Sequence, residues 1–151
     1  MIRKVALLAI VTPFIVAGCK APNSESIVAQ ANDFLSHDRY ADAAKVVEPV
    51  VRDHPGNWQA QLAYGRALLG EGDLEGARRA LDRAHNLQSS NADAVFSLAD
   101  CMARQNDSAA AYQLLRGYGR EFHSWKAYTM LSDIAEKVGD ADTALQAADD
   151  A

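Results

Sequence analysis

The sequence has only two cysteines and no apolar run long enough to cross a membrane. The apolar stretch Val5–Ala17 is shorter than the about 20 residues that a spanning helix needs, and Pro13 interrupts it. Cys19 belongs to the same N-terminal segment, which leaves Cys101 without a partner, so no structural disulfide is expected. Cys101 stands among apolar residues of a helical pattern, and we interpret it as a small buried core residue, not as a reactive thiol.

Motifs for catalysis and for metal or phosphate binding are also lacking. The four histidines have no metal-ligand spacing, and the glycine-rich stretch 65–72 lacks the Lys-Ser/Thr step of a phosphate loop. We therefore predict no enzyme activity, no metal and no cofactor. The 15 basic and 20 acidic residues leave the chain acidic, which disfavours nucleic acids and anionic lipid surfaces as partners.

What the sequence does contain is a repeat. Alanines that follow short polar turns recur 34, 34 and 33 residues apart, at Ala43, Ala77, Ala111 and Ala144. Such a period is typical of stacked helical hairpins, in which one hairpin cannot bury its apolar face alone. The pattern predicts an all-α chain whose concave surface binds a partner.

The positions within each unit resemble the tetratricopeptide repeat (TPR) family. Unit two carries small residues at the eighth, twentieth and twenty-seventh positions of the repeat, namely Gly65, Ala77 and Ala84. The resemblance implies a right-handed solenoid of about four helical hairpins, the last incomplete. It covers residues 24–151, with units at 24–57, 58–91, 92–124 and 125–151.

Helix ends can be predicted from the polar residues between apolar segments. Asn57, Asn91 and Ser124 precede helical patterns and are expected to cap them. Glycine or asparagine is expected in a left-handed conformation where the first helix of a hairpin ends, at Gly72, Asn106 and Gly139. We interpret Trp58 and Trp125 as anchors at helix starts.

Three places depart from the regular pattern. Pro49 is expected to kink the second helix of unit one, because it removes a backbone donor. Gly117 and Gly119 are expected to end or bend the second helix of unit three, with a functional hinge there as the alternative. From about Asp140 onward the last helix has little apolar surface to bury, so we expect it to fray unless a partner, self-association or further chain orders it.

The N-terminus resembles that of bacterial lipoproteins. Arg3 and Lys4 precede the apolar stretch, and the segment Val16–Cys19 reads like a lipobox. The resemblance implies a signal peptide at 1–18, acyl chains such as palmitate on Cys19, and a short tether at 19–23. Lys20, following the cysteine, favours the outer membrane facing the periplasm over the inner membrane.

The same family resemblance predicts the binding surface. In TPR proteins certain positions of the first helices line a concave groove. Carried over, they include Asn32, Leu35, Gln59, Leu62, Arg66, Leu69, Asp93, Phe96, Asp100, Arg104 and Asp133. Apolar pockets flanked by charge suit an extended or helical peptide. The basic clamp that chaperone-binding members use for a C-terminal carboxylate is missing, since Val28, Ala63, Asp93 and Ser97 occupy its places.

These observations predict a lipid-anchored adaptor of the bacterial envelope that binds protein or peptide partners, for example in assembly of a secretion, pilus or outer-membrane complex. Two alternatives stay open, a regulatory subunit of a periplasmic enzyme and a glycan-binding protein. Phe96 is the only aromatic residue predicted in the groove, which weakens the glycan-binding alternative.

Overall fold

The computed structural model describes residues 23–138. Within that range the chain forms seven α-helices and no strand, in the order α1 (Ser24–Ser36), α2 (Tyr40–Asp53), α3 (Trp58–Glu71), α4 (Leu74–Leu87), α5 (Ala92–Arg104), α6 (Ser108–Phe122) and α7 (Trp125–Val138). Cys19, the signal segment, Gly139 and the C-terminal segment from Asp140 lie outside the described residues. Short loops join the helices, and consecutive helices pack as antiparallel hairpins stacked along one direction. The fold is an all-α solenoid of helical hairpins, as the repeat predicts.

Side-chain caps define where the helices begin. Asn57 Oδ1 accepts a hydrogen bond from the Ala60 backbone N–H at 3.0 Å, and Asn91 Oδ1 accepts one from Ala94 at 2.9 Å. Ser124 Oγ accepts from Ala127 at 3.4 Å. The caps predicted at these three positions are therefore confirmed. They satisfy backbone donors that the helix itself leaves without partners.

The turns inside the hairpins use residues that tolerate a left-handed backbone. Gly72 has φ 86° and Asn106 has φ 63°, as predicted, and Asp38 takes the equivalent conformation in unit one with φ 56°. Asp73 and Asp107 then cap α4 and α6 through their carboxylates. Each hairpin therefore reverses direction within two or three residues.

Small residues at the helix crossings hold the hairpins close together. A methyl group added at Gly65 would lie 2.6 Å from Cγ of Leu81, so α3 and α4 touch where the repeat places its eighth position. Two clusters of buried side chains result. The first joins α1, α2 and the alanines of α3, and the second joins the leucines of α3 to α4, α5, α6 and α7. Helix α3 thus takes part in both clusters.

Two of the expectations about irregular or anchoring positions are wrong, those for Gly117–Gly119 and for Trp125. Helix α6 continues through Gly117 and Gly119 to Phe122, so the expected early end is wrong. Gly119 is buried instead against the Tyr128 ring, where a methyl group would lie 3.1 Å from Cζ. Pro49 lies inside α2, which extends on both sides of it, and the kink expected there stays a prediction. Trp125 begins α7 but is 73% exposed, so it does not anchor that helix to the core.

Across residues 23–138, each helix is too short or too polar to traverse a lipid bilayer.

Candidate functional site

The first helices of units one to three lie side by side and form a cleft. Helix α3 packs against both α1 and α5. The cleft encloses about 290 Å³ and is lined by Asn32, Ser36, Trp58, Gln59, Leu62, Arg66, Asn91 and Asp93. Six of the positions that the family pattern assigns to the concave groove meet there, namely Asn32, Ser36, Gln59, Leu62, Arg66 and Asp93. The packing of three helices, not any one segment, brings them together.

The cleft combines amide groups with one charge of each sign. Asn32, Gln59 and Asn91 line it from α1, α3 and the start of α5. An amide both donates and accepts hydrogen bonds, so Asn32 and Gln59 match the N–H and C=O groups of a peptide backbone. Asn91 Oδ1 already accepts from Ala94 N–H, so Asn91 offers the cleft mainly its NH₂ group as a donor. Arg66 and Asp93 have no ion-pair partner among the described residues. Their charges are free to meet those of a bound segment.

The predicted leucines of the groove are largely covered by neighbouring helices. Leu35, Leu62 and Leu69 are all buried, and Leu62 alone of the three lines the cleft. Leu69 belongs to the second core cluster and Leu35 to the first. Leu62 therefore contributes only a largely covered side chain to the floor of the cleft, and Trp58 stands among polar side chains in its walls.

Phe96 is also buried and is held by its neighbours. Its ring meets Tyr118 edge-on with centroids 5.8 Å apart, and Lys126 Nζ lies 4.6 Å from its centroid. An aromatic ring with a cation over its face and another ring at its edge has few open sides. Within the structure Phe96 joins α5, α6 and α7 and does not line the cleft.

The remaining predicted residues lie farther along the solenoid. Asp100 and Arg104 pair with each other at 2.9 Å on α5. They line a second, wider depression of about 630 Å³ together with Ala103, Asn106, Ser108, Ala109 and Ile134. Asp133 is exposed on α7. Arg104 differs from Arg66 in that its charge is already partnered.

Trp58 and Asn91 are the cleft residues that sequence reasoning missed. Both were interpreted only as helix-start residues, yet helix starts of α3 and α5 form one end of the cleft. Trp58 is half-buried and packs against the second core cluster while lining the cleft. Repeat position alone does not reveal this, because the family pattern places its groove residues after the first helical position.

Cys101 occupies the interior, as predicted. It is fully buried, and its thiol donates to the Leu74 carbonyl oxygen at 3.4 Å. Burial raises the pKa of the thiol above its ordinary value. Such a group is protonated and shielded at neutral pH. No three side chains of the metal-binding types gather to hold an ion within the described range.

Comparison with known proteins identifies the family. Two profiles described as tetratricopeptide repeat match residues 28–87 and 68–132, so together they span the helices from α1 into α7. This chain is a tetratricopeptide repeat protein. Repeats of this family build scaffolds for protein interactions, and that general role is the one the fold supports. Curated protein sequences include no match to the chain.

Solved structures of TPR proteins share this architecture at low sequence identity. MamA is 19% identical with a TM-score of 0.76, covering 85% of this chain and 75% of its own. A thermophilic TPR protein of Thermus thermophilus is 16% identical with a TM-score of 0.71, covering 85% and 72%. PilW, described as a widely conserved type IV pilus biogenesis factor, is 18% identical with a TM-score of 0.75, covering 85% and 60%. At these identities the likeness concerns the fold.

Proposed function

We propose that this protein is a lipid-anchored, non-enzymatic adaptor of the bacterial envelope that holds a peptide segment of a partner protein in the cleft between α1, α3 and α5. The observation that carries the proposal is the composition of that cleft, in which three amides, Arg66 and Asp93 surround the edge of Leu62. A surface of this kind recognises an extended backbone through hydrogen bonds and its flanking side chains through charge.

The envelope location rests on the lipobox-like segment before Cys19. Acyl chains on that cysteine would hold the solenoid at the outer membrane, facing the periplasm. The structural likeness to PilW, a pilus biogenesis factor, supports the proposal that the protein acts in the assembly of an envelope complex. Mass spectrometry of the purified protein tests the anchor, since an unmodified N-terminus at another residue contradicts it. A Cys19→Ser variant should also leave the membrane fraction.

Crosslinking from inside the cleft tests the binding face. A photoreactive amino acid at Gln59, which is exposed within the cleft, should capture the partner in growing cells. The same amino acid at Glu48, exposed on the second helix of unit one, is the matched control. Capture from Glu48 and none from Gln59 would overturn the assignment of the concave face.

Charge reversal provides a quantitative test. Arg66→Glu should weaken the captured complex about tenfold, which corresponds to about 1.4 kcal/mol. Arg104→Glu is the control, because Arg104 lies outside the cleft and already pairs with Asp100 at 2.9 Å. Circular dichroism should show equal helicity for both variants, since both arginines are exposed. Equal weakening by the two changes would place the contact elsewhere on the concave surface.

A glycan is the second candidate ligand, and Trp58 is the observation that favours it. An aromatic ring beside Asn, Gln, Asp and Arg side chains is a suitable platform for a sugar ring. Titration of the protein with peptidoglycan fragments, followed by Trp58 fluorescence in a Trp125→Phe background, separates the two ligands. Saturable quenching by a glycan that displaces the crosslinked partner would favour the glycan.

A further inference from the structure

Within residues 23–138, the large hydrophobic side chains that are exposed are concentrated on one edge of the solenoid. Short loops make consecutive helices antiparallel, so the starts of α1, α3, α5 and α7 lie beside the ends of α2, α4 and α6. We name this the inter-hairpin edge and define it as those first and last turns with the loops 54–57, 88–91 and 123–124. Two contacts tie it together, the Tyr118 hydroxyl donating to Ser90 O at 3.4 Å and the Lys126 cation over Phe96.

All three of the large hydrophobic residues that are exposed among the described residues lie on this edge. Leu87 ends α4 and is 44% exposed, Phe122 ends α6 and is 41% exposed, and Trp125 begins α7 and is 73% exposed. Phe122 is held in place by Tyr118, with ring centroids 4.6 Å apart. Exposed Phe122 and Trp125 lie three residues apart on this edge, which makes it a candidate contact surface.

The charge of the inter-hairpin edge differs from that of the opposite edge. Its turns and loops carry three cations and four carboxylates, the cations being Arg52, Arg120 and Lys126. The turns and loops at the opposite edge carry three cations and eight carboxylates. The overall acidity of the chain, which disfavours an anionic surface as a partner, thus comes mainly from the other edge. Of the two edges, the inter-hairpin edge is therefore the one that an anionic surface repels less.

The predicted anchor lies only a few residues before this edge in the sequence. Cys19 precedes Ser24, the first residue of α1, by five residues. Even a fully extended segment of five residues reaches only about 17 Å. Acyl chains on Cys19 would therefore keep the α1 end of the inter-hairpin edge close to the bilayer, while the exposed aromatics lie toward its α7 end.

We propose that the inter-hairpin edge lies against the lipid headgroups of the membrane that carries the Cys19 acyl chains, with Trp125 and Phe122 in the interfacial layer. This inference rests on the lipid anchoring proposed above. The amphipathic ring of tryptophan and the side chains of Lys and Arg favour the headgroup level of a bilayer, and phenylalanine packs at the boundary with the acyl chains. The anchor and the aromatics then form two points of attachment, which fix the orientation of the solenoid and the direction in which its cleft opens.

The two tryptophans of the chain allow a direct test by fluorescence quenching. The full-length protein, purified with its anchor, is reconstituted into phosphatidylethanolamine and phosphatidylglycerol vesicles, with or without brominated acyl chains. In a Trp58→Phe variant only Trp125 emits, and we expect brominated lipid to reduce its emission at least twofold. The difference between the wild-type protein and a Trp125→Phe variant gives the same information without altering Trp58.

The matched control places the only tryptophan on the opposite edge, in a Trp58→Phe/Trp125→Phe/Glu71→Trp variant. Glu71 is exposed at the end of α3, and this reporter should be quenched by less than one tenth. Protein that floats with the vesicles while both reporters respond alike would overturn the proposed orientation and leave the anchor intact. Protein that does not float would overturn the anchor and this inference with it. Capture of a protein by a crosslinker at Trp125, without lipid quenching, would assign the edge to a protein partner instead.

Discussion

At the scale of single residues, close approach between helices depends on glycine, which has no side chain beyond its hydrogen atom. Gly65 and Leu81 face each other where α3 crosses α4, and Leu81 is fully buried. A glycine in a helix interior costs about 0.5–1 kcal/mol relative to alanine, so its presence needs a packing reason. Here the reason is that Leu81 occupies the space that a methyl group would need.

Gly65→Ala should therefore lower the free energy of unfolding by about 1–3 kcal/mol, despite the better helix propensity of alanine. Leu81→Ala alone should cost about 2–5 kcal/mol. The double variant should lose at least 0.5 kcal/mol less than the sum of the two single losses, because the new methyl group fills part of the space that Leu81 leaves. Urea denaturation measures all three. Gly56→Ala is the control, since no atom lies within 4 Å of its added methyl group. Additive losses would contradict a direct contact.

Cys101 supports a prediction about reactivity and pH. Burial raises the pKa of its thiol, so the folded chain holds this proton more tightly than the unfolded chain does. The resulting contribution to stability is complete below the unfolded-state pKa of about 8.5 and is lost as pH rises through and above it. In native protein a thiol reagent at pH 8 should find no fast-reacting thiol, and in guanidinium it should find one.

A second thiol in that titration would have a specific meaning. A Cys19 whose sulfur carries lipid has no free thiol, so two reactive thiols in guanidinium would contradict lipid modification of that sulfur. Rapid reaction of Cys101 in the native Cys19→Ser variant would contradict its burial.

At the scale of helices and turns, Gly72 and Gly117 have opposite roles. Gly72 has φ 86° and ends α3, whereas Gly117 lies inside α6 with no atom within 4 Å of an added methyl group. Sequence reasoning assigned the turn correctly because Gly-Asp follows an apolar segment at a fixed repeat position. The second helix of unit three was also expected to end or bend near Gly117, because glycine has a low intrinsic helix propensity. Burial of Leu115 and Gly119 on one face of α6 overrides that preference.

Alanine substitution at these two positions should change stability in opposite directions. Gly72→Ala should cost about 1–2 kcal/mol, because a side chain disfavours the left-handed backbone. Gly117→Ala should raise stability by about 0.5–1 kcal/mol, since it improves helix propensity without a clash. Thermal unfolding followed by circular dichroism compares them. Stabilisation that also abolishes partner capture from Gln59 would favour the hinge alternative at Gly117. Destabilisation would show that α6 needs a glycine there.

At the scale of the whole molecule, the repeat period predicted the architecture, but the contents of the groove depended on packing. Caps and turns are local, so Asn57, Asn91 and Gly72 could be assigned from their neighbours in the chain. Exposure of a groove residue depends on helices that are distant in sequence. Phe96 is covered by residues of α6 and α7, and Trp58 enters the cleft because α5 begins beside it.

The two buried clusters lead to a prediction about local unfolding. Val47 belongs to the cluster of α1, α2 and α3, and Leu115 belongs to the cluster of α3 to α7. In a solenoid each hairpin contacts only its neighbours, so loss of packing should act locally. Val47→Ala, at a cost of about 2 kcal/mol, should reduce hydrogen-exchange protection in α1 and α2 more than in α5 and α6. Leu115→Ala should reduce protection in α5, α6 and α7 more than in α1. Helix α3, which contributes to both clusters, should lose protection in both variants.

Hydrogen exchange measured by mass spectrometry over the seven helices tests this prediction. An equal loss in every helix from either substitution would mean that the solenoid unfolds as one cooperative unit, and that its two clusters are a single core in energetic terms.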